Sequence, residues 1–90
     1  LSGAQATGWV LDGVSWYYLT PGTGQMATGW VKDGSHWYYL NPANGKMKTG
    51  WHYEDGSWYY LKPGSGQMAT GRLWIVWKYY RFADNGKLIR

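Results

Sequence analysis

The 90-residue sequence contains no cysteine, so neither disulfide bonds nor thiolate metal sites can stabilise it. It also lacks any apolar run near the roughly 20 residues that a membrane-spanning helix needs. Only 16% of its residues are charged, and a single Phe stands beside eight Trp and nine Tyr. Rings with a polar edge tolerate partial burial, and so short a chain can bury only a modest core. The sequence therefore predicts one small domain, or a piece of a longer array, with many half-exposed rings.

Positive charge exceeds negative charge, with nine basic residues against five acidic ones. Most of the basic residues lie in the last third of the chain, so the charge is local. We interpret this cluster as a solvated end of the domain, with attraction to the phosphates of an anionic polymer as the functional alternative. The cluster comprises Lys62, Arg72, Lys78, Arg81, Lys87 and Arg90.

The chain is an array with a period of 21 residues. Thr-Gly-Trp, Trp-Tyr-Tyr-Leu and Gly-x-Met each occur three times at this spacing. Residues 7–70 are predicted to form three complete repeats, and residues 71–90 a divergent C-terminal capping repeat. Residues 1–6 align with the end of a repeat, and we expect them to be the tail of a truncated upstream repeat.

Asp-Gly separates two short β-prone runs in the first two repeats and predicts a two-residue hairpin turn, since both turn positions need positive φ. A turn at Asp12-Gly13 would place Trp9 directly opposite Trp16. In the third repeat the turn contains Glu54-Asp55-Gly56, so its type stays open. Leu73–Trp77 contains no turn former and predicts one longer strand.

Strand alternation divides the side chains of each hairpin between two faces. The face that mixes polar residues with Trp is predicted to be exposed to solvent, and the other is predicted to form the core. Exposed Trp in repeated groups indicates a ligand. In the second repeat the first face holds Trp30, Lys32, Ser35, Trp37 and Tyr39, and the second holds Val31, His36, Tyr38 and Leu40.

Two Trp rings and a Tyr ring can form the walls of a box around a cation that donates no hydrogen bonds, such as a quaternary ammonium. One exposed cation–π contact stabilises the complex by about 0.5–1 kcal/mol and a desolvated one by roughly 2 kcal/mol. Each box should therefore bind weakly to moderately. Several boxes on one polymer would add avidity.

The order Gly-Trp, six residues, Trp-Tyr-Tyr-Leu, Gly-x-Met and Thr-Gly-Trp resembles the choline-binding repeats of Gram-positive surface proteins and phage lytic enzymes. The resemblance covers residues 7–70 and implies an all-β fold, a left-handed solenoid of stacked β-hairpins. It implies a non-catalytic module that anchors an attached domain to choline on teichoic or lipoteichoic acids. The expected location is extracellular, at the bacterial cell surface, whether the protein is bacterial or phage-encoded.

The resemblance also implies choline sites between consecutive hairpins, with two Trp from one repeat, a Tyr from the next and often a nearby Met. Arg72 and Lys78 occupy the Trp positions of the fourth unit, which could close a box but not begin one. Aligning Tyr80 with Tyr60 needs a one-residue deletion, and direct 21-residue spacing would place Arg81 there instead. The implied boxes are Trp9, Trp16 and Tyr39 with Met26; Trp30, Trp37 and Tyr60 with Met47; and Trp51, Trp58 and Tyr80 with Met68.

Three alternatives remain open. The glucan-binding repeats of streptococcal glucosyltransferases and clostridial toxin repeats have a similar aromatic pattern, so an α-glucan ligand is the first, although paired Trp favours choline. Single-stranded nucleic acid binding requires basic side chains beside the rings, and Lys32 is the only one on that face of the three complete hairpins. A spacer that self-associates through its aromatic ends is the third.

Metal binding and catalysis are not predicted. His36 and His52 have no repeated acidic or histidine partner, so we interpret both as surface polar residues. Ser57, His52 and Asp55 are residue types of a catalytic triad, but a hairpin turn neither orients a nucleophile nor supplies an oxyanion hole. We therefore expect no catalytic residue, no metal, no cofactor and no membrane insertion.

Overall fold

The computed structural model describes residues 7–89, and all regular structure in this range is β-strand. The predicted repeat tail at residues 1–6 lies outside the described residues. No helix in the described range could cross a membrane. Strands β1–β6 form three two-stranded hairpins, and β7, β8 and β9 form a three-stranded sheet in that order. The strands are β1 Gly8–Asp12, β2 Ser15–Leu19, β3 Gly29–Asp33, β4 His36–Leu40, β5 Gly50–Glu54, β6 Ser57–Leu61, β7 Gly71–Ile75, β8 Lys78–Phe82 and β9 Leu88–Ile89.

The turn of the first hairpin lies one residue later than predicted. Its loop residues are Gly13 and Val14, and Asp12 pairs with Ser15 at the end of the strands. Gly13 has a φ of 64°, and the loop contains no other positive φ. Glycine at the first central position is typical of a type II′ turn. Asp12 therefore lies outside the two-residue loop, as the last residue of the strand. The second hairpin repeats this arrangement, with a φ of 66° at Gly34.

The later turn shifts the pairing register by two residues and leaves each side chain on its predicted face. Trp9 lies opposite Tyr18, and Trp16 lies opposite Leu11. The prediction that the two tryptophans lie directly opposite each other is therefore wrong. They are diagonal neighbours on one face, and large rings can still bridge that spacing.

The fourth unit also forms a hairpin, so the prediction of one long strand over Leu73–Trp77 is wrong. Its strands have the length of those before them, with Gly71 opposite Phe82 as Gly50 is opposite Leu61. The turn residues Val76 and Trp77 have φ values of 41° and 66°, which neither residue type favours. Pairing and packing of the strands have overridden the local preference of the turn.

The chain divides into two compact units, of which the first ends at Lys48 and the second begins at Thr49. Within each unit, one face of a hairpin packs against the opposite face of the next. Trp9 lies 4.8 Å from Tyr38 in the first unit, and Trp51 lies 5.0 Å from Tyr80 in the second, between ring centroids. We call one face the tryptophan face, which in the first hairpin holds Trp9, Leu11, Trp16 and Tyr18, and the other the leucine face, which holds Val10, Tyr17 and Leu19.

This stacking of unlike faces makes the predicted division into a solvent face and a core face wrong. Tyr18 and Tyr39 lie on tryptophan faces, yet they are only 8% and 9% exposed. Leu40 and Leu61 lie on leucine faces and are completely buried. Each hairpin thus buries part of both faces, and the predicted all-β array of stacked hairpins is confirmed.

Each connector folds back so that its methionine pairs with the last leucine of the hairpin, as Met26 pairs with Leu19. Gly45 of the next connector lies directly on Met26, because a Cβ added at Gly45 would stand 2.6 Å from the Met26 sulfur. In the fourth unit Phe82 pairs with Leu88, at a spacing one residue shorter than in the other repeats. The single-residue deletion thus lies in the last connector and not in the hairpin.

The contact between connectors predicts a packing effect at Gly45 beyond its backbone conformation. Gly45→Ala should destabilise the protein by about 2 kcal/mol, because the left-handed φ costs about 1–2 kcal/mol and the flexible Met26 side chain must also move away from the added carbon. Gly22→Ala is the control, since Gly22 also has positive φ but nothing within 4 Å of the added carbon. Urea denaturation would contradict the packing if both variants lost the same free energy of unfolding.

The strained turn of the fourth hairpin predicts a stabilising substitution. Replacing Val76 and Trp77 together by Asn and Gly should raise the free energy of unfolding by about 1–3 kcal/mol, because Asn-Gly favours the positive φ of a type I′ turn. Little packing is lost, as Trp77 is 86% exposed. Val14→Asn is the control at a turn position without positive φ. An equal gain from Val14→Asn would contradict relief of strain.

Candidate binding site

Three rings of the second unit form a box between its hairpins. Trp51 is perpendicular to Trp58, with an interplanar angle of 89° and a centroid distance of 6.1 Å. It also meets Tyr80 of the next hairpin at 68° and 5.0 Å. Trp58 remains exposed, while Trp51 and Tyr80 are half-buried. The box therefore has three walls and a side open to solvent.

Neighbouring rings hold the walls of this box in place. Tyr60 lies directly opposite Trp51 on the same hairpin and packs edge-on against it at 5.0 Å. Tyr53 lies opposite Trp58 and packs against it at 4.9 Å. Such aromatic pairs contribute about 0.5–1.5 kcal/mol beyond burial of their surface. The box is thus preorganised by pairs that the hairpin register creates.

A positive charge already lies at one wall of this box. The Lys78 ammonium nitrogen lies 5.4 Å from the centroid of the Tyr80 ring. This distance is within the roughly 6 Å at which a ring quadrupole attracts a cation. The walls of the box are therefore suited to a cation without any carboxylate.

The first unit repeats the arrangement at its own seam between hairpins. Trp9 meets Tyr38 at 68°, and Trp16, diagonal to Trp9 on the tryptophan face, is 39% exposed. The Trp9 indole Nε1–H donates to the Asp33 carboxylate at 2.9 Å. The Met47 backbone N–H donates to the Trp16 carbonyl oxygen at 2.8 Å and joins the two repeats. The first and third boxes thus share one design.

In the first unit, the tyrosine that crosses to the preceding hairpin is Tyr38, the first Tyr of its Trp-Tyr-Tyr, which the sequence interpretation missed. Tyr39 was predicted for the first box, but it is buried and packs at 5.1 Å on Trp30 of its own hairpin. Tyr38 takes the cross-hairpin position instead. The missed signal is the alternation of side chains along the strand. Because a tryptophan face packs on the leucine face of the next hairpin, the crossing Tyr must lie on the leucine face, as Tyr38 does.

Tyr80 contacts Trp51 as predicted, although the alignment behind that prediction is wrong. Tyr80 pairs with Leu73 as Tyr38 pairs with Val31, so Tyr80 is also a leucine-face tyrosine. Direct 21-residue spacing therefore holds through the fourth hairpin, and Arg81 occupies the place of Tyr60.

The second predicted box draws its residues from both units and stays a prediction. Trp30, Trp37 and Met47 belong to the first unit, and Trp37 is 38% exposed, much as Trp16 and Trp58 are. Tyr60 belongs to the second unit and packs on Trp51.

The methionines lie in the connectors. Met26 packs on Gly45 and is 50% exposed, and Met68 packs on Gly86. Both contacts are structural, because they join one connector to the next. Contact of Met26, Met47 and Met68 with a ligand stays a prediction.

His52 is not the surface residue that the sequence interpretation expected. It is 6% exposed, and its Nε2 lies 3.1 Å from Glu54 Oε1, which accounts for a buried polar ring. The pKa of the opposite Tyr59 is raised above its ordinary value by burial, and further by the carboxylates of Glu54 and Asp55. No cluster of three His, Asp or Glu side chains suited to a metal occurs between residues 7 and 89.

Comparisons with known proteins find two family models that match this chain. A family model for the choline-binding repeat matches residues 27–73, and a model for a cell wall binding repeat matches residues 7–26. No curated protein sequence matches the chain.

Solved structures give a closer likeness. Choline binding protein F of Streptococcus pneumoniae is 43% identical with a TM-score of 0.90, over 98% of this chain but only 29% of that protein. The choline binding domain of Spr1274 from the same organism is 41% identical with a TM-score of 0.79, over 97% of this chain and 99% of that domain. A cell wall endolysin from phage Cp-1, complexed with choline, is 31% identical with a TM-score of 0.82, over 96% of this chain and 25% of that one.

The hydrogen bond from Trp9 to Asp33 predicts a stability effect at the first box. Asp33→Ala should lower the free energy of unfolding by about 1 kcal/mol, because it removes the acceptor of a half-buried indole N–H, whereas Asp33→Asn keeps one. Asp12→Ala is the control, as the exposed aspartate at the same strand position. Urea denaturation in which all three variants matched the parent would contradict a stabilising bond.

Proposed function

This chain belongs to the choline-binding repeat family, and from that membership we propose that it is a non-catalytic module that binds choline. In this proposal the module holds an attached domain at the bacterial cell wall, through choline on teichoic or lipoteichoic acids. It acts outside the cell, as part of a bacterial surface protein or of a phage lytic enzyme.

One observation carries the proposal, namely that Trp58 and Tyr80 each meet the Trp51 ring at a steep angle, beside an ammonium group. A quaternary ammonium has no N–H to donate and is weakly hydrated, so ring faces suit it better than carboxylates do. The exposed second Trp gives the ligand access, and the half-buried first Trp and the Tyr supply preformed walls. Similar proteins include one whose structure holds choline.

The proposal predicts that loss of one wall removes one choline site. Trp58→Ala should weaken binding at the third box about 10- to 30-fold, because a desolvated cation–π contact contributes roughly 2 kcal/mol. Trp16→Ala should do the same at the first box. Trp77→Ala is the matched control, since Trp77 is an exposed tryptophan at a hairpin turn outside every box.

Calorimetric titration with choline, beside ethanolamine, measures both site number and affinity. Ethanolamine should not compete at the same concentration, because its ammonium donates hydrogen bonds to water. Competition by dextran and not by choline would indicate a glucan-binding module. Unchanged choline stoichiometry in both box variants would contradict the proposed boxes.

A further inference from the structure

The tip of the fourth hairpin differs in chemistry from the tips of the other three. Each of the other loops contains a glycine and has an aspartate in it or directly beside it, namely Asp12, Asp33 and Asp55. The fourth loop consists of Val76 and Trp77, which are 80% and 86% exposed. An apolar pair therefore projects into solvent where the other hairpins present glycine and a carboxylate.

This apolar tip is held at the expense of a strained backbone. Val76 has a φ of 41° and Trp77 a φ of 66°, and positive φ is an outlier for a β-branched or bulky residue. Asn and Gly would fit the turn without strain. Strained residues concentrate at sites where function uses them. Because both side chains are exposed, packing within the chain does not account for them, and the tip points to a partner outside the chain.

Two further layers follow behind the tip on the tryptophan face of the hairpin. Trp74 and Tyr79 lie opposite each other with their ring centroids 4.6 Å apart, and they are 54% and 68% exposed. Arg72 and Arg81 lie opposite each other two residues farther from the tip, which is roughly 7 Å at ~3.3 Å per residue. The order from the tip is thus apolar side chains, amphipathic rings and guanidinium groups.

The charge of this hairpin is of one sign. Residues 71–82 contain three basic residues and no acidic residue, whereas every other hairpin contains at least one carboxylate. Arg72, Arg81 and Lys78, which follows the loop directly, are all exposed, and none of them forms an ion pair within residues 7–89. The hairpin is therefore complementary in charge to an anionic surface.

A lipid bilayer presents the same order of chemistry in depth. Apolar side chains enter the boundary of headgroups and acyl chains, Trp and Tyr favour the interface, and basic side chains are attracted to anionic headgroups. A soluble polyanion offers no apolar medium for Val76 and Trp77. A second copy docked face to face would bring the arginine pairs of both copies close together. An anionic membrane surface fits all three layers.

We propose that the fourth hairpin binds the surface of anionic lipid bilayers. Val76 and Trp77 enter the boundary of headgroups and acyl chains, the ring pair lies among the headgroups, and the three basic side chains bind lipid phosphates. Such adsorption spans nothing, so it needs no apolar run of the kind that the sequence lacks. This inference goes beyond the proposed function and does not depend on choline.

Co-sedimentation of the intact chain with vesicles of phosphatidylglycerol and phosphatidylethanolamine tests the inference, because these lipids carry negative charge and no choline. The chain should bind, and its affinity should fall as salt screens the charges. Saturating free choline should not compete, since the ring boxes take no part. Vesicle binding that free choline abolishes would overturn the inference.

Substitutions separate the tip from the charge. Val76→Asn with Trp77→Gly keeps every charge and should raise stability, so weaker vesicle binding, by at least about tenfold, would not reflect unfolding. Arg72→Gln with Arg81→Gln should weaken binding about 10- to 30-fold, because each basic side chain near an anionic surface contributes about fivefold. Val14→Asn is the matched control, as an apolar turn residue that is 98% exposed, and should leave vesicle binding unchanged.

Equal vesicle binding by the parent and the Val76→Asn, Trp77→Gly variant would overturn the inference, because charge alone would then explain adsorption. Binding to soluble polyphosphate that this variant weakens equally would also overturn it, since the partner would be an anionic polymer. So would a dimer in sedimentation equilibrium that this variant dissociates. Loss of vesicle binding with choline titration intact contradicts this inference alone, and the reverse result removes only the proposed function.

Discussion

The edge-on contact between the first Trp of one hairpin and the leucine-face Tyr of the next is the interaction on which the rest depends. Trp9 with Tyr38 and Trp51 with Tyr80 each join a tryptophan face to the following leucine face. Cysteine is absent, so no disulfide can do this. Within each unit, two contacts join consecutive hairpins in place of disulfides. One is the ring packing between unlike faces, and the other is the packing of the methionine of one connector on a glycine of the next connector.

The same contact creates the candidate site. The first Trp is packed on both sides and half-buried, while the second Trp, diagonal to it in the register, stays 36–39% exposed in all three complete hairpins. Between two hairpins of a unit, the first Trp and the Tyr of the next hairpin are therefore held at a fixed angle, and the exposed second Trp forms an accessible third wall. Binding and stacking use the same side chains, so each seam can differ in specificity only through the residues around the rings, as Asp33 and Lys78 illustrate.

The repeat length, the two faces and the ring-rich seams could be predicted from the sequence, because period and strand alternation are local properties. The register could not, since Asp-Gly fits a hairpin turn either as both loop residues or with glycine alone in the loop. Tyr38 was missed because the ring that crosses a seam depends on how separate hairpins stack. The turn at Val76 and Trp77 was missed because strand pairing overrides turn propensity.

The central claim is that a quaternary ammonium binds between aromatic walls at a seam of the array. A crystal structure of the chain grown with choline tests it most directly. The account predicts electron density for the trimethylammonium group between Trp51, Trp58 and Tyr80, with the Lys78 ammonium displaced from the Tyr80 ring. The absence of choline between these three rings at saturating choline, with the ligand bound elsewhere or not at all, would contradict it.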